Sequence, residues 1–127
     1  MNSVAISIDV PNLADSVRFY VTAFGFTKVA EPVPGVAVLD AGNVRICLLE
    51  KSSGSAPSSQ TRDVRRYDRH WTAVHLDIHV DDLKAALEKA VAAGATQEQV
   101  FENPEHGSVA FCGDPFGHGF CLIETRR

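Results

Sequence analysis

His75, Asp77 and His79 stand at alternate positions of one short segment. Alternate positions of a strand share a face, roughly 7 Å apart. Such a row can supply a general base, with Asp77 orienting a histidine. It can equally hydrogen-bond within itself and to neighbouring strands. Just upstream, His70-Trp71 offers a ring that could close over a ligand and stack on it, or fill a core. Cys47 and Cys121 could act as metal ligands, or as small buried hydrophobes. The chain has no phosphate-binding glycine loop, and no Ser/His/Asp or Cys/His arrangement names a nucleophile, so catalytic residues stay unassigned.

The elements that must position these groups follow from periodicity. Val4, Ile6, Ile8 and Val10 alternate with Ala5, Ser7 and Asp9, which predicts a half-buried strand. Pro11 stops it, and Asn12 is a helix N-cap with Asp15 in capping-box position. Leu13, Val17, Tyr20 and Phe24 follow at helical spacing, and Gly25 suits the helix end. Three strands come next, near 26–31, 35–40 and 44–50, divided by turns at Pro34-Gly35 and Ala41-Gly42-Asn43. The pattern then restarts. Val74, Leu76, Ile78 and Val80 form a strand, and Asp81 or Asp82 caps a helix carrying Leu83, Leu87, Ala90 and Val91 that Gly94 ends. Strands near 96–102, 108–112 and 119–125 complete the second pass, the last two parted by the Asp114-Pro115-Phe116-Gly117 turn.

Val10 to Val80 and Leu13 to Leu83 are both offsets of 70 residues. Residues 40–50 align without gaps to residues 114–124, with four of eleven identical, Cys47 on Cys121 and Glu50 on Glu124 among them. An internal duplication of a βαβββ unit explains this better than chance. The fold class is α+β: one domain, residues 1–127, of two tandem βαβββ modules. Module one spans 1–50, a flexible Ser/Gly/Pro-rich connection 51–70, and module two 71–127. Two related sheets, helices outside, would curve into a barrel-like sheet around a cleft. Strand parity directs Asp9, Arg45, Cys47, His75, Asp77 and Cys121 toward it.

Composition narrows the function. A net charge of −4 on 127 residues argues against a nucleic-acid partner. Arg62, Arg65, Arg66 and Arg69, diluted by Asp63 and Asp68, read as a solvated charged face. Three cysteines without a CxxC pair point to a reducing compartment. With no signal peptide and no apolar run of membrane-spanning length, the expectation is a cytoplasmic protein with no membrane association.

The duplication, the Val10-Pro11-Asn12-Leu13 opening and the Asp114-Pro115-Phe116-Gly117-His118 turn resemble the vicinal oxygen chelate superfamily. That superfamily includes glyoxalase I, extradiol dioxygenases, fosfomycin-resistance transferases and bleomycin-resistance proteins. In its metal-using members four cleft-facing positions, on the first and last strand of each half, hold the ion. The resemblance carries these onto Ala5, Cys47, His75 and Cys121. Alanine has no donor, and Glu124 has the wrong strand parity to replace Cys121. The resemblance therefore implies no cofactor. Its alternative is a divalent metal such as zinc on Cys47, His75 and Cys121. The implied function is binding of a small organic molecule, with Arg45, Cys47, His70, Trp71, His75, Asp77, His79 and Cys121 as ligand-binding candidates. A lyase or dioxygenase with an atypical Cys/His site is the alternative. A homodimer is a further implication of the resemblance.

Overall fold

A computed structural model of the chain describes residues 1–125. The first pass yields β1 (Ala5–Val10), α1 (Leu13–Phe24), β2 (Thr27–Ala30), β3 (Val36–Asp40) and β4 (Arg45–Glu50). The second yields β5 (Leu76–His79), α2 (Leu83–Ala93), β6 (Thr96–Asn103), β7 (Gly107–Gly113) and β8 (Gly119–Thr125). The strands form two four-stranded sheets of identical plan, β1-β4-β3-β2 and β5-β8-β7-β6. In each, the first and last strands pair in parallel and the others are antiparallel. The chain is thus α+β, two tandem βαβββ modules, and it divides into two compact units at Tyr67/Asp68.

The helices start where the caps predict. Asn12 Oδ1 accepts from the Asp15 N–H at 2.9 Å, and Asp82, rather than Asp81, accepts from the Ala85 N–H at 3.0 Å. Gly25 closes α1 in the left-handed conformation, φ 72°, which a side chain would strain. The buried face of α1 is Ser16, Phe19, Tyr20 and Ala23; of the predicted Leu13–Val17–Tyr20–Phe24 stripe Tyr20 is buried, and the rest of the face is turned one step round. Ser16 can be buried because its hydroxyl donates to the Asn12 carbonyl at 2.5 Å. Under the helices lie Ile46 and Leu48 of β4 and the matching Phe120 and Leu122 of β8, all almost fully buried. Alternation then puts Cys47 and Cys121 on the opposite face of their sheets.

Parallel pairing explains a further match between the halves. It sets the ends of β1 and β4 side by side, Val10 opposite Glu50, just where the chain turns into α1. Glu50 Oε2 there accepts from the Leu13 N–H at 2.7 Å. In the second unit Glu124 Oε1 accepts from the Leu83 N–H at 3.2 Å. Each carboxylate satisfies an amide that the first helical turn leaves open and complements the positive end of the helix dipole.

Two expectations need correction. β5 starts at Leu76, not Val74, because its pairing with β8 covers only residues 76–79. Val74 is exposed, and its carbonyl accepts from the Thr72 hydroxyl at 2.8 Å. The arginine cluster is also not uniformly solvated. Arg65 Nε donates to Asp9 at 2.7 Å with its side chain mostly buried, and Arg69 is paired as described below. Segment 51–70 carries neither helix nor strand, but residues 51–67 are tied into the first unit by the Lys51 N–H donating to the Val10 carbonyl at 2.9 Å and by the Arg65–Asp9 pair, and they are braced within themselves. Gly54 and Arg65 bond through their backbones, and the Tyr67 hydroxyl donates to the Lys51 carbonyl at 2.6 Å.

Candidate functional site

In the second unit, β5, β7 and β8 present their helix-free face to a cavity of about 380 Å³. Trp71, His75, Asp77, Phe111 and Cys121 are among its lining residues. Asp77 lies directly opposite Cys121 across the parallel β5–β8 pair, and His75, just before β5, lines the same cavity. The ring nitrogen Nε2 of His75 is 3.0 Å from Asp77 Oδ1. His75, Asp77 and Cys121 each offer a donor atom within 4.8 Å of the others.

Burial pushes the Cys121 thiol up to about 11, helped by the negative charge of Asp77 and a hydrogen bond to its carboxylate. Desolvation favours the neutral thiol, and an adjacent anion disfavours a second negative charge. Cys121 is therefore a hydrogen-bond donor at neutral pH, not a ready nucleophile. Cys112 is likewise raised to about 11, chiefly by burial.

The other wall is set by a residue that sequence periodicity did not single out. Arg69 lies over Gly113 and Gly119, which pair directly across β7 and β8. A Cβ on Gly119 would sit 2.7 Å from Arg69 Nη2, and one on Gly113 would sit 3.1 Å from its Cδ. Neither glycine has a positive φ, so their role is space, not backbone freedom. The guanidinium is held by Glu98 of β6 through Nε–Oε2 at 2.6 Å and Nη2–Oε1 at 3.0 Å, and it also donates to the His70 carbonyl. The Glu98 hydrogen bond raises the Arg69 pKa further. This two-pronged contact fixes the backbone on which Trp71 is carried. Trp71 itself is 83% exposed, and Phe111 is 40% exposed with its ring 5.3 Å from that of Phe101. The Gly113–Gly119 pair was the available sequence signal for Arg69, since side-chain-free positions facing each other on adjacent strands leave room for something else.

Of the eight candidate ligand-binding residues, Trp71, His75, Asp77 and Cys121 come together here. His70 is turned to its own backbone, with Nδ1 2.8 Å from the Asp68 carbonyl oxygen. His79 lies in a separate polar hollow with Val80, Asp81 and Thr125. Arg45 and Cys47 belong to β4 of the first unit, Arg45 exposed and Cys47 half-buried.

A family model described as a glyoxalase-like domain matches residues 5–123. No curated protein matches the sequence significantly. Several solved structures share the fold. A mutant of the fosfomycin resistance protein FosX from Listeria monocytogenes, in complex with manganese(II), aligns with TM-score 0.71 at 18% identity, covering 97% of this chain and 90% of that one. A glyoxalase-related enzyme from Fulvimarina pelagi gives 0.74 at 19%, covering 98% and 89%. A glyoxalase/bleomycin resistance protein/dioxygenase family enzyme from Burkholderia phytofirmans PsJN gives 0.70 at 20%, covering 96% and 97%.

Proposed function

The chain belongs to the glyoxalase-like domain family of the vicinal oxygen chelate superfamily, and on that premise we propose that it binds a small, partly aromatic organic molecule in the cavity of its second unit. The observation that carries this is the pairing of an exposed tryptophan and phenylalanine with the His75–Asp77 row around one cavity. An apolar wall with a few convergent polar groups is the usual make-up of a small-molecule site, and large exposed aromatics mark surfaces that something covers. Trp71 would stack on the ligand, while His75 would offer it a hydrogen bond oriented by Asp77.

The family's four-position metal set does not fit these residues, because Ala5 supplies a methyl group where a donor is needed. No step is therefore routed through that set. Three free cysteines and the absence, among the described residues, of any helix long and apolar enough to cross a membrane support a cytoplasmic location. The family resemblance supports a homodimer.

A thermal-shift screen against small metabolites and antibiotics, run with chelator present, tests the reading. A ligand at 100 times its dissociation constant adds about 2.7 kcal/mol to stability. A hit whose shift falls in Trp71→Ala supports the proposal, and no shift with any compound contradicts it. A second reading, a lyase or dioxygenase, draws on the 3.0 Å His75–Asp77 contact, which suits a general base held in one orientation. Turnover of a hit that is lost in His75→Gln would favour it.

A further inference from the structure

We propose that His75, Asp77 and Cys121 form a three-donor site for a borderline-soft divalent cation, zinc above all, built by the second unit alone. The organic ligand proposed above is not needed for this, and neither Ala5 nor Cys47 takes part. The first support is topological. Asp77 and Cys121 are register partners on adjacent parallel strands, and His75, the residue just before β5, reaches the Asp77 carboxylate with Nε2 at 3.0 Å. The pairing therefore brings the carboxylate and the thiol to one spot, and the segment entering β5 adds the imidazole.

The second support is metric. The three donor atoms lie within 4.8 Å of one another. Around a tetrahedral zinc, with bonds of about 2.0–2.3 Å, donors sit on the order of 3.5 Å apart. Closing the difference takes small side-chain rotations. Cys121 is buried, while His75 and Asp77 keep about half of their side-chain surface exposed, at 45% and 48%, so open space beside them leaves room for such a rotation as a pair. The third support is the donor set. One thiol, one imidazole and one carboxylate suit zinc or cobalt, and a thiol disfavours magnesium and calcium. All three residues also line the 380 Å³ cavity, so a fourth coordination position would open onto it, the pattern of zinc sites that take up an exogenous ligand.

Without metal, Cys121 donates its proton toward Asp77 and His75 leans on the same carboxylate, so the cluster is satisfied in both states. Binding replaces the thiol proton: Cys121–SH and M²⁺ give Cys121–S–M⁺ and one H⁺, which leaves to solvent. No atom changes oxidation state.

The test is cobalt(II) titration of chelator-stripped protein with no organic ligand present. A thiolate-to-cobalt charge-transfer band saturating at one equivalent is expected, with about one proton released per cobalt bound, and zinc should displace it without further proton release. Cys121→Ser should abolish the band. Asp77→Asn should weaken zinc binding about tenfold or more, and Cys47→Ser should leave both unchanged. Should Cys121→Ser not fold, Asp77→Asn and Cys47→Ser carry the same comparison. No charge-transfer band, a band that survives Cys121→Ser, or one lost in Cys47→Ser overturns the proposal. The organic-ligand screen runs with chelator present, so failure of either reading is visible without the other.

Discussion

Gly119→Ala isolates the wall that holds the Trp71 segment in place. The new Cβ would stand 2.7 Å from Arg69 Nη2, 3.1 Å from Cζ and 3.2 Å from Nη1, so the guanidinium must leave. The clash is with the end of a long side chain, so the steric cost itself is small. What is lost is the Glu98 fork. With the two side chains 41% and 32% exposed, solvent screening holds that loss to about 1 kcal/mol. Against it, alanine for glycine at an ordinary extended position stabilises by about 0.4–1 kcal/mol through the unfolded chain. The two nearly cancel, so Gly119→Ala alone should change stability little. In an Arg69→Ala background the clash is gone and the same substitution should stabilise outright. The coupling between the two positions is then about 1 kcal/mol, a difference in Tm shift of roughly 3–5 °C for a chain of this length. Thermal denaturation of the wild type, both single variants and the double variant measures it. An equal shift from Gly119→Ala in both backgrounds would refute the cradle.

Further expectations follow from the same geometry. At pH 8 a thiol raised to about 11 holds about a hundredfold less thiolate than one at the ordinary 9.0. Alkylation of Cys121, followed by peptide mapping, should therefore be slow and should accelerate in Asp77→Asn; an unchanged rate would remove Asp77 as a cause. Because Cys112 and Cys121 are both raised on folding, the stability they contribute is fully present below pH 9 and is lost as pH climbs through about 11. Each contributes at most about 2–3 kcal/mol. A pH-resolved denaturation series that fell only below pH 9 would contradict that sign. Glu124→Ala and Glu50→Ala should each cost about 1 kcal/mol by freeing a first-turn amide and removing the charge that faces the helix dipole. Urea titration reads both, and a neutral result would show that water serves these amides equally well.

The duplication was legible because it rests on local signals repeated twice, such as Pro11 after β1, Asn12 and Asp82 at the caps, and Cys47 and Glu50 matched by Cys121 and Glu124. The His75–Asp77–Cys121 cluster was half legible. Strand parity put the three on one face, but the direct opposition of Asp77 and Cys121 depends on a parallel register that sequence alone leaves open. The family comparison drew attention instead to Cys47, which lies in the other unit. Glu124 had the parity to face away, as it does, yet its role needed the three-dimensional neighbourhood of β5, β8 and α2. Arg69 was the least legible, since its partner Glu98 is 29 residues away and nothing periodic links them. A charged cluster is read by default as solvated, and only the matching glycines on β7 and β8 spoke against that.

The central claim, that the second unit's cavity is where this chain holds its ligand, is tested most directly by an amide chemical-shift map with a hit from the screen, recorded with chelator present. Perturbations centred on residues 69–77, 109–112 and 119–123, and weakened by Trp71→Ala, are the expected result. Perturbations confined to residues 1–67, or a pattern untouched by Trp71→Ala, would contradict it.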